Sequence, residues 1–238
     1  MHNERFELLI GKENLTKLQN STVAIFGLGG VGSYALESLA RSGVGTLIIV
    51  DFDTIDPTNI NRQVIALNST VGKKKTEVAA SRIKDINPQC KVIEYPIFIN
   101  KDSLPEIFNQ KIDGAIDAID VLTSKWELIK QLQAKNIPFI SSLGMGGRMD
   151  PTKIEITTLD KTSYDPLARS LRSLIRKEDG SMEFTVVYSR EQTFNITGDN
   201  PQGNTRKEKH PIGSSIFVPA TAGLVAGSYI LKRIIESK

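Results

Sequence analysis

The residues with the clearest chemical capacity fall between Thr22 and Asp53, where an apolar run at 23–26 ends directly in Gly27-Leu28-Gly29-Gly30-Val31-Gly32. Glycines at this spacing, opening a helix, can receive phosphate. Gly27 makes the tight turn, Gly29 lets the backbone approach an oxyanion, and Gly32 allows close packing of helix on strand. The phosphates would meet unpaired N–H groups at the helix start, where aligned backbone dipoles also favour negative charge. A second apolar run at 47–50 ends in Asp51, 19 residues beyond Gly32, where an acid can meet a ribose hydroxyl. A glycine-rich turn alone also serves plain packing, so the nucleotide reading rests on the glycines, both flanking runs and the acid together. The pattern does not say which nucleotide.

Those residues need elements to hold them. Val31, Ala35, Leu36, Leu39 and Ala40 recur at helical spacing until Gly43 stops the pattern. The link at 54–63 is polar, with Pro57, Asn59 and Asn61 discouraging regular structure. Gly72-Lys73-Lys74-Lys75 opens a helix that runs to Ile86 and is ended by Asn87-Pro88. Further strands are expected at 92–94, 114–119 and 137–141, with helices at 103–108 and 124–135. This alternation predicts right-handed crossovers and an α/β fold, a Rossmann-like, doubly wound, mostly parallel sheet. Ligands of such sheets lie beyond the carboxyl ends of the strands, so Gly27 to Gly32, Asp51 and Asp120 should converge on one edge.

The pattern changes after Gly144-Met145-Gly146-Gly147-Arg148. A half-exposed strand is expected at 153–158, a helix from Asp165-Pro166, a strand at 183–189, a polar loop at 195–215 and a final helix at 220–235. The chain then forms one domain over 1–238, with a nucleotide core at 20–143 and a substrate-side extension of strands and helices at 144–238. Arg169, Arg172, Arg176 and Lys177 share one side of a helix, either as a solvated face or as a strip contacting nucleic-acid phosphates. The stretch from Arg206 to His210 has the same two readings. His2 and His210 read as neither ligands nor catalysts.

Composition sets limits. Thirty Lys+Arg against 27 Asp+Glu leaves a net charge of +3, which permits a polyanionic partner without requiring one. The single cysteine, Cys90, excludes an internal disulfide framework and a CxxC zinc site, and a cytoplasmic setting follows. The opening MHNERFELLIGKENL is polar and charged, unlike a signal segment. The late apolar stretch at 216–231 contains Pro219 and is short for a bilayer, so it reads as a buried helix and no membrane span is expected.

Gly27 to Gly32, Asp51-Phe52-Asp53, Asn59-Ile60-Asn61-Arg62-Gln63, Gly72-Lys73-Lys74-Lys75 and Asp117-Ala118-Ile119-Asp120 together resemble the adenylating superfamily of ubiquitin-activating-like enzymes, the HesA, MoeB and ThiF type. The Asn-x-Asn-Arg-Gln segment is the specific part. The stretches GMGGRMDPTKIEITTLDKTSYDPLARSLR and GSSIFVPATAGLVAGSYILK look most like the superfamily's tRNA-modifying dehydratases, which act on threonylcarbamoyladenosine. The resemblance implies a ThiF-type domain that uses ATP and Mg²⁺ to adenylate a carboxylate on tRNA. AMP and pyrophosphate are released, and the threonylcarbamoyl side chain closes into a ring with loss of water. It also implies a homodimer. Some relatives use a monovalent cation and a sulfurtransferase or sulfur-acceptor partner.

Carried onto this chain, the resemblance makes Arg62, Lys75 and Asp120 the catalytic set. Arg62 and Lys75 would hold the phosphates, and Asp120 would position Mg²⁺ at the α-phosphate. Gly27, Gly29, Gly30 and Gly32 would cradle the nucleotide, with Asp51 and Asp53 on the ribose side and Asn59 on a phosphate or ribose oxygen. Arg169, Arg172, Arg176 and Lys177 would meet tRNA. The residues at 96–99 would line the adenine or form a buried connection. Asp120 as a helix cap, the lysine run as a solvated first turn and Arg62 as a surface residue are the plainer readings. One departure stands out: the superfamily's R[FY]xR opening has Leu8 in place of its second arginine, which bears on any contact with a partner's active site. Two other functions fit parts of the pattern. One is activation of a sulfur-carrier C-terminus, which the absence of any cysteine after Cys90 disfavours; the other is a non-catalytic nucleotide-binding scaffold.

Overall fold

In a computed structural model that describes residues 3–193 and 212–237, five strands run parallel: β1 (Thr22–Phe26), β2 (Thr46–Val50), β3 (Lys91–Tyr95), β4 (Gly114–Asp117) and β5 (Phe139–Ser142). Two more, β6 (Ile154–Thr158) and β7 (Thr185–Ser189), pair antiparallel with each other, and β7 lies parallel to β5. The sheet order is β3-β2-β1-β4-β5-β7-β6, so the extension after residue 143 continues the same sheet. The chain reverses its winding between β1 and β4, where open sheets of this kind leave a crevice.

Strand composition explains the layers. TVAIF and TLIIV are apolar almost throughout because helices cover both faces. Val23, Ile25, Leu47, Ile49 and Ile116 face α3 (Gly32–Arg41), α4 (Lys75–Ile86) and the long α8 (Phe217–Glu236). Ala24, Phe26, Ile48, Val50 and Ala115 face α5 (Leu104–Ile107) and α6 (Leu122–Ala134). A third cluster joins Trp126 and Ile129 of α6 to Leu171 and Ile175 of α7 (Pro166–Lys177) and to Val186 of β7. Two short helices, α1 (Glu4–Ile10) and α2 (Lys12–Gln19), precede the sheet, and α1 leaves Leu8 and Leu9 largely exposed. Among the described residues no helix is long and apolar enough to cross a membrane.

The observed elements differ from the sequence expectation in ways that bear on the site. β4 stops at Asp117 rather than running to 119, because the Asp117 Oδ1 accepts the Ile119 N–H at 3.1 Å and curls the chain out of the sheet. α6 starts at Leu122, two residues before the expected start, and neither Asp120 nor Ser124 caps it. α4 starts at Lys75, leaving Lys73 and Lys74 outside. α8 starts at Phe217, earlier than the expected 220. The expected loop at 195–215 lies outside the described residues except for its last four; Arg206, His210 and His2 lie outside them altogether.

A buried polar network braces the turn that carries Asp120. Lys125, 0 % exposed, gives its Nζ to Asp117 Oδ2 at 2.7 Å, Ser141 Oγ at 3.1 Å and the Ser142 carbonyl at 2.8 Å. Ser141 Oγ donates in turn to Asp117 Oδ2 at 2.6 Å, linking β4, β5 and α6. A buried ion pair is tolerable only when hydrogen bonds satisfy both members, and removing one strands the other's charge. Lys125→Met is therefore expected to destabilise the chain by about 3–5 kcal/mol in urea unfolding, and Lys125→Met with Asp117→Asn by much less. A loss under about 1 kcal/mol for the single variant would mean that the pair does not hold the turn.

Candidate functional site

Phe26 stands level with Val50 and with Asp117, so β1, β2 and β4 end together and their next residues surround one opening. A cavity of about 680 Å³ fills it. Gly27 turns the chain there with φ +89°, a backbone conformation that side chains resist, and a Cβ at Gly27 would lie 2.8 Å from the Ala118 carbonyl oxygen. At Gly32 a Cβ would sit 1.8 Å from the Gly27 carbonyl oxygen. Gly29 has nothing within 4 Å of its Cβ position, and its bare backbone borders the cavity. The steric roles expected of Gly27 and Gly32 thus have a geometric counterpart, and Gly30 packs against Pro219 of α8.

Asp51 ties the opening together. Its Oδ2 accepts the Leu28 N–H at 2.6 Å and its Oδ1 accepts the Asp53 N–H at 2.8 Å. Burial pushes its carboxyl above the usual range, opposed by the charge of Lys75 and by those two N–H groups. Lys75, at the first turn of α4, reaches back into the cavity. Its Nζ lies 2.7 Å from Asp53 Oδ2 and 3.7 Å from Asp51 Oδ1. Lys73 and Lys74 are exposed while Lys75 is buried, which separates one cation from the solvated run around it.

Across the opening a one-turn 3₁₀ segment (Pro57–Asn59) orders the polar link. Asp56 accepts the Thr58 N–H at 2.8 Å, while Asn59 Oδ1 accepts the Asp56 N–H at 3.2 Å. The Arg62 Nη1 donates to the Thr58 carbonyl at 2.8 Å and Asn61 Oδ1 at 2.9 Å, and no carboxylate among the described residues pairs with it. Asn59, Arg62, Lys75 and Asp120 all line the cavity. Asp120 is exposed at its rim and takes no hydrogen bond from the described residues, in keeping with its place outside the α6 cap.

An apolar wall, Ile97, Phe98 and Ile99, closes the β3 side, and Phe98 meets Phe52 edge-on at 5.0 Å between ring centres. Sequence reasoning missed the opposite wall. Ser142, Gly144, Met145 and Gly146 line it, with Leu167 from α7 and Ser214 from the approach to α8. Arg148, 2 % exposed, pins that wall: it donates to the carbonyls of Glu191 at 2.9 Å, Tyr164 at 3.1 Å and Gly144, and pairs with Asp165 at 3.4 Å. Its partners are scattered over 48 residues of chain, from Gly144 to Glu191, and no local pattern announces them.

The basic side of α7 divides. Arg169, Arg176 and Lys177 are exposed, but Arg172 turns its Nη1 onto the Leu159 carbonyl at 3.1 Å and onto Thr162. Arg172 therefore staples α7 to the turn before it, and the strip open to a partner is Arg169, Arg176 and Lys177.

Chemically, the opening offers the glycine turn at the start of α3, Arg62, Lys75 paired with Asp51 and Asp53, and Asp120, the one of the four lining carboxylates that no hydrogen bond or ion pair among the described residues engages. Among the described residues no group of three or more His, Cys, Asp or Glu could hold a metal unaided. A single carboxylate suits magnesium, which usually takes one or two from the protein and completes its shell with phosphate oxygens and water. This fold, with its crevice beyond the strand ends, defines a Rossmann-type nucleotide-binding protein. The chain belongs to the ThiF family, whose model matches residues 3–235.

A tRNA threonylcarbamoyladenosine dehydratase of Bacillus subtilis is 42% identical over 238 residues, covering 98% of this chain and 94% of that protein. The Escherichia coli protein of the same name is 35% identical over 243 residues, covering 95% and 91%. The crystal structure of E. coli tRNA N6-threonylcarbamoyladenosine dehydratase in complex with ATP superposes with a TM-score of 0.88 at 34% identity, covering 98% of this chain and 94% of that one.

Cys90 stands apart from the cavity, buried at the turn into β3. Burial pushes its thiol to about 11, with the Lys84 charge opposing. At pH 8 roughly a thousandth of it is thiolate, the reactive form. Folded protein should resist a colourimetric disulfide reagent at pH 8, while protein in denaturant should titrate one thiol at once; prompt reaction of the folded chain would contradict this burial.

Proposed function

We propose that this chain catalyses the ATP-dependent dehydration of threonylcarbamoyladenosine in tRNA. The observation that carries the proposal is the convergence of Arg62, Lys75 and Asp120, from three separate segments, on one cavity floored by the glycine turn. Two dehydratases of that name align with this chain almost end to end, which supports the same substrate.

The chemistry follows from charge. A carboxylate is a poor electrophile and is repelled by a triphosphate. The N–H groups at the α3 start, Arg62 and Lys75 offset that repulsion. Magnesium held at Asp120 would add further neutralisation of the phosphates. In the first step a carboxylate oxygen of the threonylcarbamoyl group bonds to the α-phosphorus as the bond to pyrophosphate breaks. In the second, the ureido oxygen attacks the acyl carbon and AMP leaves with the former carboxylate oxygen, while the ureido nitrogen gives up its proton. The net result is a ring and one water fewer. Because nucleophile and electrophile share one side chain, this step needs positioning rather than a protein nucleophile. The wall of Ser142, Gly144, Met145 and Leu167, which lines the same cavity, would supply it.

The tRNA would approach over α7, whose Leu167 borders the cavity and whose Arg169, Arg176 and Lys177 remain exposed. Action on tRNA would suit the cytoplasmic setting expected from the sequence. Activation of a sulfur-carrier C-terminus would share the first step, but the chain has no cysteine after Cys90 to receive the carrier.

Incubation with ATP, Mg²⁺ and tRNA bearing threonylcarbamoyladenosine should release AMP and lower the nucleoside mass by one water, and Asp120→Ala should slow this about a hundredfold or more. ATP binding without any change in nucleoside mass would favour a non-catalytic scaffold. Measured against salt, tRNA affinity should follow a log–log slope of roughly −2 to −4. Replacing Arg169, Arg176 and Lys177 with Ala should flatten that slope by about 2 to 3, and an unchanged slope would remove α7 from the interface.

A further inference from the structure

Ser124 is buried, 4 % exposed, in the first turn of α6, and it borders the cavity. A serine hydroxyl inside a protein usually finds a nearby backbone group. The other buried serines described, Ser21, Ser33, Ser141, Ser142 and Ser189, each make a side-chain hydrogen bond. The Ser124 hydroxyl makes none with any described residue. Its oxygen is nevertheless open. Among the described residues the buried side-chain atoms both sealed and unpaired are Asn3 Oδ1, Gln63 Oε1 and Thr76 Oγ1. Ser124 Oγ is not one of them, so it keeps accessible surface where the residue lines the cavity.

The backbone around it has the same need. α6 runs for 13 residues, and no side chain caps its start. The first bond across that turn runs from the Lys125 N–H to the Val121 carbonyl at 2.9 Å, which leaves the Leu122, Thr123 and Ser124 N–H groups without a backbone partner among the described residues. A helix start with unpaired donors attracts negative charge, and here a free hydroxyl stands beside them.

The order of the strands says which negative charge. Along the sheet edge, following β3, β2, β1, β4 and β5 in turn, come the apolar wall at 97–99, Asp51, the glycine turn, the start of α6 and the wall at 142–146. An acyl adenylate laid along that edge has its ribose at Asp51 and its phosphate at the glycine turn. Its acyl group then meets α6, just before the far wall.

We infer that Ser124 is a catalytic residue whose hydroxyl, with the N–H groups at the start of α6, holds the acyl oxygen of the substrate. As the ureido oxygen bonds to the acyl carbon, the carbonyl electron pair moves onto that oxygen, and it returns when the bond to AMP breaks. Ser124 donates a hydrogen bond throughout and keeps its own proton. A fixed donor aimed at an oxygen that gains charge lowers the barrier rather than tightening the resting complex. The inference rests on the proposed dehydration and adds to it the group that stabilises the tetrahedral intermediate.

The test compares wild type with Ser124→Ala in three measurements: the single-turnover rate of water loss from threonylcarbamoyladenosine in tRNA at saturating ATP and Mg²⁺, the affinity for ATP by calorimetry, and the ligand-free melting temperature. Ser124→Ala should slow the single turnover about tenfold to a hundredfold, the value of a hydrogen bond to a charged group. ATP affinity should stay within about twofold of wild type, because the nucleotide contacts are untouched. The melting temperature should equal or exceed that of wild type, since alanine favours a helix. A single-turnover rate within twofold of wild type overturns the inference and leaves the dehydration standing. A loss of ATP affinity as large as the loss of rate assigns Ser124 to the nucleotide and overturns it too, and a lowered melting temperature makes Ser124 a packing residue. A wild-type chain that removes no water overturns the proposed dehydration and this inference with it.

Discussion

The carboxylate of Asp51 is the fixed point of this molecule. It accepts one N–H from the glycine turn after β1 and one from its own strand end, and Lys75 faces it from α4. Three segments that the sequence separates are thereby held to one geometry. Burial works against the ionised form, and those two donors and that cation work for it. The glycine turn, the strand end and the lysine helix are therefore interdependent. A site that must admit several phosphates needs such pre-set positions, since positive groups free to move would lose much of their effect in the reorganisation.

The second constraint is topological. β1, β2 and β4 end in register at the reversal of winding, so everything just past their ends faces the same space. Asp120 reaches that space because Asp117 folds the chain out of the sheet, and Asp117 can do so because Lys125 and Ser141 satisfy its other oxygen. Arg148 does the equivalent for the far wall by binding carbonyls from three separate stretches. The buried charges of this protein thus brace the positions of exposed ones.

Much of the nucleotide half was legible because its signals are local. Gly27, Gly29 and Gly32 each answer to a steric requirement within a few residues, and the apolar strands beside them carry their own periodicity. Lys75 is a mixed case: the run Lys73 to Lys75 is visible, but only the point where α4 begins decides which lysine is buried, and Lys75 alone lies within the helix. Arg172 shows the reverse, since its spacing matches Arg169 and Arg176 while Leu159 and Thr162, outside the helix, draw its guanidinium inward. β4 was overrun by two residues in the sequence reading because Ala118 and Ile119 are as apolar as the strand itself, and the hydrogen bond that ends it comes from Asp117.

By itself the sequence determined the alternation of strands and helices, the glycine turn after β1, the acid at the end of β2 and the lack of an internal disulfide, because each follows from residue type, count and short-range spacing. Only the tertiary structure decided which side chains share the cavity, that Asp120 does not cap α6, and that the stretch from Gly144 to Gly146 forms one of the cavity's walls. Those facts depend on contacts between residues far apart in the chain, and their partners are chosen by packing and desolvation rather than by any pattern along it.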